Sequence, residues 1–308
     1  MPKSVICVGA AFVDELFHMK EEMIPATTVE ASISKTAGGV ARNIAHELAL
    51  LGVEVQLITV FGNDGDGDWL KQVSSSAGVK MDASITKEGL SGKYTAILNL
   101  DGSLFTGFLT NAATKLITPE HLEKHRTLLQ TASYLLADAN ISAEAGEWLL
   151  VFSNETGIPL ILEPVSVPPA RKFRDLNLKG LHLVTPNEDE LPVLCSDKAL
   201  ITQQQVEELL AKGVENVWLH RGKLGSVIYR RGGSITLQAP QIQMVDCTGA
   251  GDGSLSGFIL GKTLGKKDED CLKLAHTLSA EILRIDGTIA THLDQAKLLE
   301  LVSKYYPD

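Results

Sequence analysis

Near the C-terminal end, Asp246-Cys247-Thr248-Gly249-Ala250-Gly251-Asp252-Gly253 sets two carboxylates around a run of small residues, and an apolar helical pattern, Ser254 to Leu260, comes next. Small residues let backbone N–H groups converge on one point, and a helix start adds about half a positive charge there. Such a turn suits an anion. Asp252 stands at its edge, where a carboxylate beside a phosphate cradle has the position of a general base for phosphoryl transfer. Asp is equally at home in the first turn of any helix, and glycine-rich turns also serve only to close a bend. The segment alone leaves both readings open.

Three other groups could supply ligands. Gly38-Gly39 precede a long helical pattern with Asn43 one turn in; two glycines admit close backbone approach, and an amide both donates to and accepts from vicinal hydroxyls. A plain entry loop would look the same. Asp14 comes after an apolar run and the turn Gly9-Ala10-Ala11, where a carboxylate could accept two sugar hydroxyls. Asn187-Glu188-Asp189-Glu190 succeeds Val184-Thr185-Pro186, at the carboxyl end of a strand pattern, where open α/β sheets bind ligands. Oxygen donors there suit Mg²⁺, which keeps most of its waters; an acidic helix start after proline accounts for the same residues.

Two motifs mislead. Gly261-Lys262-Thr263 resembles the end of a phosphate-binding P-loop, but the glycine required five positions earlier is Ser256, and the segment lies inside an apolar helix pattern. Asn63 to Asp68 hints at a calcium loop, yet Trp69 stands where glycine is needed and Ser75 where the distal Glu belongs. It reads better as a solvated acidic turn.

The elements that must position these groups are set by periodicity. Apolar runs at Val5 to Val8, Val55 to Phe61, Tyr134 to Ala137, Leu160 to Leu162, Leu181 to Val184 and Val217 to Leu219 predict buried parallel strands. They alternate with helices over Val40 to Leu51, Ala143 to Glu155 and Gln203 to Lys212, so the fold class is α/β, a doubly wound, mostly parallel sheet flanked by helices. In the first helix Val40, Ile44, Leu48 and Leu51 share one stripe, and Gly52 ends it. The segments Asp14 to Lys35 and Ser91 to Asn111 lack long helices and predict a small second sheet; Ser226 to Ala239 reads as an edge hairpin around Arg231-Gly232-Gly233.

Composition narrows the partners. The 308 residues carry a net charge of −10, which argues against a phosphate-backbone binder and favours a small ligand. Hydrophobic content of 44% and charged content of 21% fit an ordinary globular protein. Cys7, Cys195, Cys247 and Cys271 have no zinc or disulfide spacing. The apolar stretch from Val5 to Ala11 is too short for a signal segment or a membrane span, so a cytoplasmic protein with no membrane partner is expected.

Taken together, Gly9 with Asp14, Gly38-Gly39 with Asn43, Asn187 with Glu190, and the Asp-x-Thr-Gly-Ala-Gly-Asp element resemble the ribokinase or PfkB family of sugar and nucleoside kinases over nearly the whole chain. The resemblance implies one kinase domain over residues 1–308, with a β-sheet lid formed by about 12–35 and 91–112. It implies Asp252 as catalytic base, backbone N–H groups of Gly249, Ala250 and Gly251 on the transferring phosphoryl group, and sugar hydroxyls held by Asp14, Gly38, Gly39 and Asn43. ATP is the implied donor, with Asn187 and Glu190 acting on Mg²⁺ through its waters, and Gly222, Gly225 and Thr248 shaping the nucleotide site. The resemblance also brings a K⁺ ion at Asp246 and Thr248, beside carbonyls near Ile285 and Gly287, and a lid through which some members, though many do not, form a homodimer. The chain departs from the family at His220-Arg221-Gly222, where a Thr-x-Gly strand end is common, which bears on the nucleotide.

Within the family, Gly38 to Ala45, Ala137 to Ser142 and Glu163 to Ser166 look most like the pseudouridine kinases, which phosphorylate a 5′-hydroxyl. Thr106 and Asn111 are then expected to meet the base, although turn residues exposed to solvent fit the same positions. A kinase for ribose, another nucleoside or another sugar is the alternative within the family, and a non-catalytic sugar-binding regulatory protein the alternative outside it.

Overall fold

A computed structural model of the chain describes residues 3–89 and 91–307. In chain order the strands among the described residues are β1 (Ser4–Val8), β2 (Phe12–Met19), β3 (Ala31–Gly38), β4 (Glu54–Ile58), β5 (Val60–Gly62), β6 (Ile85–Lys87) and β7 (Lys93–Leu98). They continue with β8 (Leu104–Thr110), β9 (Tyr134–Asp138), β10 (Leu160–Glu163), β11 (Leu183–Val184), β12 (Asn216–His220), β13 (Ser226–Arg230) and β14 (Gly233–Leu237).

The main sheet runs β14-β13-β12-β11-β10-β9-β1-β4, parallel from β4 to β12, with the β12–β13 and β13–β14 pairs antiparallel at one edge. Its strands read as continuous apolar runs because both faces are covered. In β1, Val5 and Cys7 enter one core with α1 (Val40–Leu50) and the Ala250–Thr263 and Asp268–Ile282 helices, while Ile6 and Val8 enter the opposite core under the Ala143–Thr156 and Thr202–Ala211 helices. The doubly wound reading of the sequence therefore holds. In α1, Ile44, Leu48 and the capping Leu51 are buried, and Gly52 comes next with φ 79°.

Two predicted strands come out differently. The run from Val55 to Phe61 breaks at Thr59: the Thr59 N–H turns to the Ser84 hydroxyl and its carbonyl to the Ile85 N–H, so β5 leaves the main sheet and pairs with β6. The predicted Leu181–Val184 strand shortens to β11, because the Leu181 N–H closes a turn onto the Leu178 carbonyl.

β2, β3, β7 and β8 form a separate four-stranded sheet in the order β3-β2-β7-β8. This is the second sheet expected from segments 12–35 and 91–112, with β3 extending to Gly38, where it runs into α1. Its alternation sets two faces, one carrying Phe12, Asp14, Tyr94 and Leu109. No helix among the described residues is long and apolar enough to cross a membrane.

Candidate active site

Parallel strands end together, so the residues at and just beyond their carboxyl ends gather at one rim. After β1 comes Gly9-Ala10, at and after the end of β9 Asp138 and Asn140, at and after the end of β10 Glu163 and Val165, after β11 Thr185 and Asn187, and β12 closes with His220. Of these, Asn140, Glu163, Val165, Thr185, Asn187 and His220 join α1, the start of the Ala250–Thr263 helix and one face of the small sheet in enclosing a cavity of about 530 Å³; Gly9, Ala10 and Asp138 are not among its lining residues. Asp14, Gly39, Asn43, Asn187, Glu190, Thr248, Gly249, Gly251 and Asp252 all line it, so the structure brings together most of the residues singled out by sequence.

The Ala250–Thr263 helix begins at Gly249, whose φ of 79° and ψ of −5° are left-handed, and a Cβ there would lie 2.5 Å from the Thr288 carbonyl oxygen. Only glycine fits both demands. The helix has no side-chain cap, and the N–H groups of Gly251 and Asp252 find no acceptor among the described residues. First-turn donors left free, with the dipole behind them, make a site for an anion.

Asp252 is 8% exposed. Its Oδ2 accepts a 2.7 Å hydrogen bond from Asn43 Nδ2, which ties α1 to the Ala250–Thr263 helix across 209 residues of sequence. Burial pushes its carboxyl up to about 7, against the opposing pull of Asn43 and Arg42. Asp14, on the facing wall, is raised to about 6 by burial, with Arg42 acting in the other direction. A carboxylate of near-neutral pKa beside uncapped amides can take a proton from a hydroxyl while the amides hold developing negative charge.

Gly38 and Gly39 owe their type to crowding: a side chain at Gly38 would collide with the Asp14 carboxylate, and one at Gly39 (φ 93°) would lie 2.5 Å from the Ala10 carbonyl oxygen. Opposite them, Glu190 Oε2 accepts the Asn187 N–H at 3.0 Å, and Asn187 Oδ1 accepts the N–H groups of Asp189 and Glu190 at 2.9 Å. Glu163 and Glu190 face the same cavity; burial raises both, and the Glu190 charge adds to the rise at Glu163. Two nearby carboxylates in a cavity suit a hydrated divalent cation, which relieves their repulsion.

Other sequence candidates lie elsewhere. Thr106 pairs with Ile97, out of phase with the Tyr94–Leu109 pair, and is not among the residues lining the cavity; the alternation places it on the sheet's outer face. Asn111 lines a neighbouring cavity of about 1030 Å³, which shares Leu109 and Asn140 with the first, and its amide donates to Asn140 Oδ1 at 3.2 Å. Gly222 and Gly225 shape the turn between β12 and β13 and do not line the cavity. Asp246 also lies off it, its Oδ1 accepting the N–H and hydroxyl of Thr248 at 3.0 and 2.9 Å. His220 does line it, and burial drives its imidazole down to about 3, with His276 adding to the shift, so the ring is neutral.

Sequence reasoning gave no role to Asp138, Glu163, Asn140 or Arg42. Asp138 is fully buried, and its Oδ2 accepts the N–H groups of Ala10 and Ala41 at 2.9 and 3.0 Å while Oδ1 accepts that of Asn140. A carboxylate ending an apolar strand, as in Tyr134-Leu-Leu-Ala-Asp138 and Leu160-Ile-Leu-Glu163, is the signal that could have found two of the four.

Comparison with known proteins agrees with this geometry. The pfkB family carbohydrate kinase pattern matches residues 2–295. The chain is 29% identical to a pseudouridine kinase of Escherichia coli over 97% of its length and 96% of the relative's, and 32% identical to an uncharacterized sugar kinase of the same organism over 84% and 72%. The Arabidopsis thaliana ribokinase solved with ribose and ATP superposes with a TM-score of 0.86, covering 98% of each chain at 23% identity, which bears on the fold alone. The chain thus belongs to the pfkB family of carbohydrate kinases and is an ATP-dependent sugar or nucleoside kinase.

Proposed function

We propose that this kinase transfers the γ-phosphoryl group of ATP to the 5′-hydroxyl of pseudouridine. The observation that carries the reading is the pair of adjoining cavities: one holds Asp252 and the uncapped helix start, and the other opens past Asn140 and Leu109 with room for a polar base. Asp14, Gly39 and Asn43 hold the ribose hydroxyls, and Asp252 takes the proton of the attacking one. The free amides of Gly249, Gly251 and Asp252 stabilise charge on the moving phosphoryl group, while the Ala250 N–H donates to the Cys247 carbonyl at 3.4 Å, so positioning and electrostatics supply the catalysis. Asn111 and Asn140 meet the base; Thr106, on the outer face, plays no direct part. The likeness to the Escherichia coli pseudouridine kinase supports the same substrate.

ATP lies toward His220, Thr185 and Thr248, with Gly222 and Gly225 shaping the loop beyond β12. Glu190, Asn187 and Glu163 fit Mg²⁺ through its waters, which neutralises phosphate charge. A K⁺ ion at Asp246 and Thr248, toward the 285–288 loop, belongs to the same proposal; it is supported by the Val245 N–H, which donates to the Leu283 carbonyl just before that loop. The small sheet acts as the lid. Its exposed Ile33, Leu104, Phe105 and Phe108 suit pairing with a second copy, which sedimentation velocity tests directly.

A coupled assay across pseudouridine, uridine, adenosine, ribose and fructose tests the substrate. Turnover with pseudouridine at least tenfold above the others is expected. Rapid turnover of ribose with none of pseudouridine would favour the ribokinase reading, which a 25% identical Arabidopsis thaliana ribokinase over 97% of the chain keeps open.

A further inference from the structure

Arg42 is the third residue of α1 and only 1% exposed, an unusual place for a guanidinium. Its Nε donates to the Gly38 carbonyl at 3.1 Å, Nη2 donates to the Ala37 carbonyl and to Asn43 Oδ1, and Nη1 meets His46 Nδ1 at 3.4 Å. The Oδ1 bond settles which way the Asn43 amide points, because an oxygen facing Arg42 leaves Nδ2 facing Asp252. One side chain therefore fixes the end of β3, the glycine pair and the amide that contacts Asp252.

The surroundings of Asp252 are almost all acidic. Asp14 from β2, Glu47 from α1, Asp138 from the end of β9 and Glu163 from the end of β10 act on this region, together with the imidazole of His46 and the guanidinium of Arg42. Burying an arginine is costly unless it is paired and hydrogen-bonded. Here the hydrogen bonds go to the Gly38 and Ala37 carbonyls, Asn43 and His46, while Asp14, Asp252 and Glu47 act on the guanidinium through space, beyond ion-pair distance.

Resting on the assignment of Asp252 as base, we propose that Arg42 is a positioning residue of phosphoryl transfer: it orients the Asn43 amide toward Asp252 and supplies the positive charge that the carboxylates Asp14, Glu47 and Asp252 share. Arg42 lowers the carboxyls of Asp14, Glu47 and Asp252, which burial raises, and its own guanidinium is brought down by burial to about 10. A residue that merely closed the corner between β3 and α1 would have no such electrostatic reach.

The test is the pH profile of kcat between pH 5.5 and 9, with ATP and pseudouridine, for the native enzyme, Arg42→Lys and Arg42→Met; ribose replaces pseudouridine if the panel shows it is the acceptor. Arg42→Met is expected to move the acid limb upward by about one pH unit, tenfold in turnover on that limb. Arg42→Lys keeps a cation but loses the fork, so its limb stays near the native one while the acceptor KM rises several-fold and the ATP KM does not. If circular dichroism shows Arg42→Met unfolded, the KM split in Arg42→Lys decides alone. An unmoved limb in a folded Arg42→Met, or an unchanged acceptor KM in Arg42→Lys, overturns the proposal. Asp252→Asn separates the two readings: retained turnover there defeats the base assignment, whereas lost turnover with an unmoved Arg42→Met limb defeats only the role of Arg42.

Discussion

Two helices start at the floor of this cavity, each after a glycine of positive φ and each without a cap from its own first residues, yet their ends are finished in opposite ways. At α1 the Ala41 N–H goes to Asp138, and the Arg42 N–H goes to the Ala10 carbonyl at 3.2 Å. The protein supplies the anion itself. At the Ala250–Thr263 helix the Gly251 and Asp252 N–H groups are left for an anion from outside. A closed terminus fixes the scaffold and an open one binds, and the Asn43–Asp252 hydrogen bond joins them.

Breaking the closed end has the largest expected effect. Asp138→Ala leaves the buried Ala10, Ala41 and Asn140 N–H groups without acceptors, at about 1–3 kcal/mol each, so the urea midpoint falls sharply. A midpoint within experimental error of the native one would show that the closed end is not stabilised as described. At the open end, Gly249→Ala forces a Cβ toward Thr288 and displaces the amides; kcat drops about 10²- to 10³-fold, with a smaller loss in the urea midpoint than in Asp138→Ala.

The pH dependence of stability sharpens the contrast. Burial raises Asp252 from 3.8 to about 7 and Glu47 from 4.5 to about 7, so between these values the folded protein holds more protons than the unfolded chain. The stability this confers is complete at acid pH and is lost as pH climbs toward about 7. Asp252→Asn removes one such group, and its melting temperature should fall less than the native one between pH 5 and pH 8. The smallest effect belongs to Thr106→Ala: on the outer face of the lid, it should change the acceptor KM less than twofold, whereas Asn111→Ala raises it for a nucleoside and not for ribose.

The open end was legible in the sequence because its parts are contiguous: glycines, Thr248 and Asp252 lie within one short run, and the apolar pattern after them marks the helix. Asn187 to Glu190 were legible for the same reason, whereas the carboxylates that end β9 and β10, Asp138 and Glu163, were not. The closed end was not. Asp138 reaches Ala10 and Ala41 across 128 and 97 residues, and no local pattern announces such a partner. Arg42, an ordinary polar residue in a helix of that length, became buried only because β3, α1 and the carboxylates converge on it. Which face Thr106 takes was not legible, because strand parity in β8 depends on its register with β7, which the turn residues between them do not fix.

The measurement closest to the central claim is turnover by Asp252→Asn with ATP and the preferred acceptor, alongside calorimetric titration of that acceptor. A removed base should lower kcat about 10²- to 10⁴-fold while acceptor binding stays within a few-fold of native. Native turnover in Asp252→Asn would contradict the account, because a carboxylate at the open helix end would then be only a residue of its first turn.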